Sequence, residues 1–505
     1  MSKSLKVLPR LRAGLIAILM AAAGTAPAHA GERPATHIVQ LQPGVTPAQG
    51  RALVRAAGGS VTGSVPIIRG VAARLPAGAR GVIARDARVK VVSVNARVRG
   101  QGGIDSGRLA TSYPRSVSAQ SVWPSATGAG VGVAVIDTGI DGRLPDFRGA
   151  DGRSRVVASA VTNPDATSAL DGYGHGTHVA GIIAGNGSSR SSYDPVDGKY
   201  IGIAPRANLI AIKASDDAGN ATILDAIYGL QFAVDHKDDY NIRVVNLSLS
   251  STEPSSYLDD PLDAAVEAAY FSGIVVVAAA GNRGGAANAA DYAPGNDPFA
   301  ISVGAVDDRG TSRRSDDSMA AWSTVGTTQD GFAKPEVAAP GARIVSTLAA
   351  GSAFSRLCPS CVVDNAYIRL GGTSMAAPVV SGIAALALER HPDWTPAQVK
   401  GTIVATARDM PGGIGQVNAA SVVWASTPTS VRDADIAANE LVDTTSGAID
   451  YSRSSWGRSS WGSAPQELVA GWARSSWGCS CPAAEGAVEP TRSSWGVSWA
   501  SAWTY

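Results

Sequence analysis

Val131-Gly132-Val133-Ala134-Val135-Ile136-Asp137-Thr138-Gly139 is an apolar run that ends on a carboxylate and then a turn-forming glycine. A continuous run of this length reads as a strand buried on both faces, and such strands belong to parallel sheets. Runs of the same kind recur at Leu209 to Lys213, Val244 to Leu249, Ile274 to Ala280 and Ile301 to Val306. Between them Ile223, Ile227, Leu230 and Val234 repeat at helical spacing, and Pro261 to Phe271 forms a second such segment. Buried strands alternating with amphipathic helices imply an α/β fold, a parallel sheet with helices on both faces. Asp137 then ends a buried strand, where open α/β sheets place functional side chains. Thr395-Pro396 adds a helix start, an N-cap followed by proline at the first helical position.

Two further islands carry chemistry. His175-Gly176-Thr177-His178-Val179-Ala180-Gly181 opens an apolar helical run through Ile183, so the His175 imidazole can project from a helix start. Gly372-Thr373-Ser374-Met375-Ala376-Ala377-Pro378 leads into a helical pattern over Met375 to Glu389. Ser374 thereby stands at a helix N-terminus, where backbone N–H groups and the dipole favour developing negative charge. Pro378 is expected in the first turn, where a missing N–H does little harm. A serine hydroxyl is a poor nucleophile until a nearby base takes its proton. The order Asp, His, Ser, each with these flanking residues, resembles the subtilisin-like serine proteases, or subtilases, of the peptidase S8 family.

The resemblance covers about residues 36 to 425. It implies a serine endopeptidase in which Ser374 attacks, His175 is the general base, and Asp137 orients the imidazole and stabilises its charged form. His178 matches the family's non-catalytic histidine. Asp171 lies nearer to His175 in sequence and rivals Asp137 as orienter, but it lacks the strand context. Ala278-Ala279-Ala280-Gly281-Asn282 matches the pattern that supplies an oxyanion-hole amide, so Asn282 takes that role beside the Ser374 N–H. Asn246-Leu247-Ser248-Leu249-Ser250 resembles the edge where extended peptide adds by backbone pairing. Ser248, Leu249 and Ser250, with Ala280 and Gly281, are the implied substrate contacts. The family usually has glycine where Ser250 stands, which leaves the preferred side chain open. The chemistry requires no cofactor and no metal. Residues 186 to 199, with Asp194 and Asp197, lie near where relatives bind calcium. Their ligand pattern does not match clearly, so a solvated loop is expected and Ca2+ remains a candidate structural ion only.

The flanks read differently. Lys3, Lys6, Arg10 and Arg12, then the apolar Leu15 to Ala23, then Ala28-His29-Ala30 have the form of a secretory signal over residues 1–30. The apolar run is too short to span a bilayer. In the next block, His37 to Leu41, Ser60 to Val65, Val71 to Leu75 and Val89 to Val94 read as strands. Pro47 to Ala57 and Gly78 to Arg85 read as helices. That βαββαβ order predicts a small ferredoxin-like α+β unit. By position, and by Ile38-Val39-Gln40-Leu41-Gln42-Pro43-Gly44, residues 31–107 resemble the inhibitor I9-type propeptide of subtilases, implying an intramolecular chaperone and inhibitor. These residues carry 11 Lys+Arg against 3 Asp+Glu, a formal +8, whereas residues 108–425 carry 23 against 31, a formal −8.

From about 426 to 505 the composition shifts. Arg-Ser-Ser-Trp-Gly occurs at 453–457, 458–462, 474–478 and 492–496. Few aliphatic residues accompany these tryptophans, so a disordered low-complexity tail is expected. The sharper reading is an adhesive tail whose tryptophans contact sugars or an envelope surface. The alternative function is then an inactive protease scaffold that binds the envelope. Four cysteines, Cys358, Cys361, Cys479 and Cys481, fit an oxidising compartment, and a local Cys358–Cys361 disulfide stiffening a surface loop is the preferred pairing. The expected protein is exported, acts on proteins or peptides, and has no nucleic-acid partner and no transmembrane span once the signal is removed.

Overall fold

A computed structural model describes residues 36–65, 69–94, 108–188, 196–411, 413–431, 435–439 and 442–447. The chain divides into two compact units, residues 1–100 and 101–505. The signal segment, the second cysteine pair and the Arg-Ser-Ser-Trp-Gly repeats lie outside the described residues.

The small unit runs β1 (Thr36–Leu41), α1 (Pro47–Ala56), β2 (Ser60–Val65), β3 (Gly70–Arg74), α2 (Ala79–Ala84) and β4 (Val89–Val94). Its strands lie in the order β2-β3-β1-β4, and every pairing is antiparallel. This is the expected ferredoxin-like arrangement. Thr46 starts α1 with a capping box to Gln49, and Pro47 takes the position where no N–H is needed. Val39, Leu41, Val54, Val71, Leu75, Ile83 and Val92 form the unit's own core. Alternate strand residues face the helices, which is why a period of two was legible there.

The large unit contains an eight-stranded sheet. Its chain order is β5 (Gly132–Asp137), β6 (Val156–Val161), α3 (His175–Ala184), β7 (Asn208–Lys213), α4 (Ile223–Asp235), β8 (Ile242–Leu247), α5 (Pro261–Phe271), β9 (Val275–Ala279), β10 (Ile301–Asp307), β11 (Ser318–Met319) and β12 (Val337–Pro340). Across the sheet the order is β6-β7-β5-β8-β9-β10, with β11 and β12 both paired to β10. Only the short β11 pairing is antiparallel. Two further strands, β13 (Ile344–Thr347) and β14 (Tyr367–Leu370), pair with each other outside this sheet and lead into the long helix α6 (Thr373–Arg390). Helices α3 and α6 pack on each other, as do α4 and α5, and all six residues of β5 are buried. After β5 the chain goes to the edge strand β6, returns to β7 beside β5, and then crosses to β8 on the other side. The carboxyl end of β5 is therefore a switch point, where a crevice opens in sheets of this type.

Two expectations need correction. The helix after the third island begins at Thr373, not Met375, so Ser374 lies inside its first turn and Pro378 falls in the helix interior. Ordered packing also continues past residue 425. Thr429 N–H donates to Thr402 Oγ1 (2.9 Å), Tyr257 Oη donates to Ala437 O (2.7 Å), and Asn439 N–H donates to Glu267 Oε2 (2.8 Å). Backbone groups satisfied by buried partners hold that segment where hydrophobic content alone predicted none. The expected Cys358–Cys361 disulfide forms in a surface segment, with Arg356, Leu357, Pro359 and Ser360 exposed around it and both cysteine side chains buried against the main core. Pro396 does open a helix (α7, Pro396–Ala405), with Thr395 and Gln398 as its capping box.

Candidate active site

Asp137 and His175 meet at the switch point. His175 Nδ1 lies 2.8 Å from Asp137 Oδ1 and 3.0 Å from Oδ2, and neither side chain is exposed. Asp137 Oδ1 also accepts from Thr138 N–H (2.7 Å). A carboxylate at Nδ1 fixes the proton there and leaves Nε2 as the basic nitrogen. The close approach of the two elements requires Gly176. A Cβ at that position would lie 2.2 Å from Gly139 O and 3.0 Å from Asp137 Oδ1.

Asp171, the rival orienter, has a different job. Its carboxylate accepts from Thr138 Oγ1 (2.8 Å), Gly174 N–H (2.6 Å), Thr177 N–H (2.8 Å) and Thr177 Oγ1 (2.7 Å). Burial pushes its carboxyl up to about 6 while those donors oppose the shift. Asp171 thus ties the turn after β5 to the start of α3, and Thr138 completes the tie by accepting from Gly176 N–H (2.9 Å). His178 Nε2 faces Ile344 O (3.3 Å) and Ile368 O (3.0 Å), bridging β13 and β14. Burial, with His175 nearby, pushes its imidazole down to about 3, so it stays neutral as a packing residue.

Ser374 is the second residue of α6, and its Oγ donates to Ser248 O (3.1 Å). Pro378 has no N–H to give the carbonyl four residues earlier, which is that of Ser374. Ser248 Oγ supplies the missing donor at 2.9 Å. Asn246 Nδ2 donates to Ser248 Oγ (2.9 Å), and Ser381 Oγ donates to Asn246 Oδ1 (2.8 Å). The end of β8 is thereby stitched to the helix that carries Ser374. Sequence reading named Ser248 as a substrate contact and missed this second role, although an interior proline in the helix pattern is the signal that points to it.

Asn282 follows β9 and turns its carbonyl toward α6. Its Oδ1 accepts from Thr373 N–H (2.9 Å) and Thr373 Oγ1 (3.1 Å), while Gly281 N–H donates to that same hydroxyl (3.2 Å). With Oδ1 held this way, the amide nitrogen is the donor end of the side chain. Thr373 therefore sets the amide's orientation, a role that sequence reading did not assign. Ser250 is also engaged. Its Oγ donates to Ser251 O (3.1 Å) and accepts from Arg283 Nη1 (3.0 Å), and the Arg283 guanidinium lies over the Tyr292 ring. Leu249 and Ala280 are buried beside these groups.

In the candidate calcium loop, residues 189–195, including Asp194, lie outside the described residues, and Asp197 pairs with Arg108 Nη1 (3.1 Å). Among the described residues no cluster of three or more His, Cys, Asp or Glu side chains could hold a metal ion, and no helix is long and apolar enough to cross a membrane.

A switch-point Asp–His pair, and a serine at a helix start held against the neighbouring strand end, fit the arrangement that the resemblance to subtilases implies. Residues 128–438 match the sequence profile of the subtilase family, Peptidase_S8, and the chain belongs to that family. It is 39% identical over 279 residues to Serine protease AprX of Bacillus subtilis (strain 168), a match covering 54% of this chain and 60% of that protein. It is 38% identical over 283 residues to Subtilisin of Bacillus pumilus, covering 56% of this chain and 85% of the relative. Fervidolysin from Fervidobacterium pennivorans, a keratinolytic enzyme related to subtilisin, superposes with a TM-score of 0.50 at 24% identity. That superposition covers 78% of this chain and 61% of fervidolysin, and it supports the fold alone.

Proposed function

We propose that the protein is a serine endopeptidase that hydrolyses peptide bonds by acyl transfer. The observation that carries this reading is the buried pairing of His175 Nδ1 with both Asp137 oxygens, at 2.8 and 3.0 Å. In the proposed cycle the Ser374 hydroxyl turns from Ser248 O and passes its proton to His175 Nε2 as Oγ attacks the carbonyl carbon. Asp137 stabilises the imidazolium and does not itself take the proton. The Ser374 N–H and the Asn282 amide receive the oxyanion. His175 then protonates the leaving amine, and water repeats the sequence to release the acyl group. Peptide is expected to lie extended along Ser248 to Ser250, with Ala280 and Gly281 across from it.

The wider reading is of an exported zymogen. Residues 1–30 direct export, residues 31–107 assist folding and inhibit the mature unit, and self-cleavage releases it. The tryptophan-bearing tail then holds the enzyme at the cell envelope. Support comes from the signal pattern, the ferredoxin-like fold of the small unit and the opposite charges of the two blocks. Purified, singly expressed protein should cleave a denatured protein substrate and shorten its own chain, whereas Ser374→Ala should do neither. A Ser374→Ala protein of mature length, or one that still digests the substrate, would overturn the reading.

A further inference from the structure

Residues 349–366 leave β13 and return on β14, which runs directly into Ser374. This excursion reaches the other half of the site on its way. Ala353 N–H donates to Gly172 O (3.0 Å) and Phe354 N–H donates to Tyr173 O (3.1 Å), clamping it to the segment just before His175. The fit leaves no space at Gly174, whose φ is +111° and where a Cβ would lie 2.7 Å from Ser352 Oγ. Phe354 is fully buried. Its ring centroid lies 4.9 Å from that of Tyr173 and 6.2 Å from that of His175, the latter edge-on at 79°.

Phe354 sits in the one-turn helix Ala353–Leu357, a piece too short to be stable alone. Cys358 N–H closes that turn by donating to Phe354 O (3.1 Å), and the Cys358–Cys361 bridge pins the turn's end inside the core. Asp137 holds the His175 imidazole at Nδ1, but the torsion that swings such a ring is broad and needs a wall to narrow it. An aromatic edge at this distance supplies both the wall and the exclusion of water.

We propose that Phe354, held in place by the Cys358–Cys361 disulfide, is a positioning residue that keeps the His175 imidazole aligned for proton transfer. The inference rests on His175 acting as the general base. It gives the disulfide a catalytic consequence, because the bridge that stiffens the excursion also fixes the ring beside the base. The same excursion feeds β14 and then Ser374, so it joins the two sides of the site through one cross-linked segment.

The test uses the full-length chain, allowed to mature, with Phe354→Ala, Phe354→Leu and the double variant Cys358→Ser/Cys361→Ser. Peptide hydrolysis is measured across pH beside thermal unfolding. Phe354→Ala should lower kcat by about 10- to 100-fold, the scale of a small misplacement of a catalytic group, with KM nearly unchanged. The acid limb of its kcat profile should move, because Phe354 packs against the ring that takes the proton. The double cysteine variant should move both readouts in the same direction by less. Folded variants with kcat and acid limb unchanged would overturn the proposal, as would a rise in KM alone, which would make the excursion a substrate contact. If Phe354→Ala does not fold, Phe354→Leu decides by the same criteria. An unmodified protein that hydrolyses nothing overturns the protease reading and this inference together, whereas an active protein with indifferent variants overturns the inference alone.

Discussion

Replacing Asn282 by aspartate separates two jobs that alanine would remove together. The Asn282 carbonyl accepts from Thr373 N–H and Thr373 Oγ1 at 2.9 and 3.1 Å, and Thr373 is buried. An aspartate carboxylate keeps that acceptor but brings no N–H to an oxyanion. Losing one such donor costs about 2.7–4 kcal/mol of transition-state stabilisation, or about 10²–10³ in kcat, a scale set by an oxyanion-hole asparagine in a subtilisin. Asn282→Asp should show at least that loss, because its own charge opposes the developing one. Its thermal midpoint should stay close to that of the unmodified protein. Asn282→Ala should lose similar activity and also about 1–3 kcal/mol of stability, because it strands a buried N–H. Steady-state hydrolysis of a soluble peptide, paired with thermal unfolding, reads both effects. An Asn282→Asp protein that keeps most of its kcat, or loses only KM, would refute the assignment of the amide.

Three more outcomes follow from the same structure. Isolated residues 31–107 should inhibit the mature unit, with an inhibition constant that weakens as salt rises, since formal charges of +8 and −8 attract across a screening length of about 8 Å at physiological ionic strength. A salt-independent constant would make the charge segregation incidental. Burial, then Asp297, pushes the Glu267 carboxyl from its ordinary 4.5 up to about 9, so the folded protein holds a proton that the unfolded chain releases. Stability should therefore fall as pH rises from about 4.5 to 9, and Glu267→Gln, which still offers Asn439 N–H an acceptor, should flatten that slope in thermal melts. An unchanged slope would mean that Glu267 does not carry the proton. Deleting residues 452–505 should leave peptide cleavage intact and reduce retention on cell-envelope material, and identical partitioning of the two forms would remove the adhesive role.

The parts of this protein that were legible in its sequence share one property: their signals are local. The strand ending at Asp137, the helix opening at His175 and the Gly-Gly-Thr turn before Ser374 each announce both a backbone shape and a chemical group within a few residues. The small unit was legible because period-two strands and a capped helix alternate over short distances. What stayed hidden depends on contacts between distant positions. Thr373 orients Asn282 across 91 residues, and Phe354 reaches His175 across 179 residues, with no periodicity to mark either pairing. Asp171 was noticed only as a rival to Asp137, because its acceptors serve a turn that exists only once β5 and α3 are adjacent. Residues 435–439 read as part of the tail because their partners are far off in sequence: Ile436 and Ala438 pack on Tyr257, Tyr270 and Phe299, and Asn439 N–H donates to Glu267.

The most direct test of the central claim is labelling with a fluorophosphonate probe, followed by mass mapping of the adduct. The probe reacts only with a serine whose proton is taken by a base beside an oxyanion site. A single adduct on Ser374, lost in His175→Ala and strongly reduced in Asn282→Asp, is the predicted result. No adduct on the matured protein, or an adduct on another serine, would contradict the account.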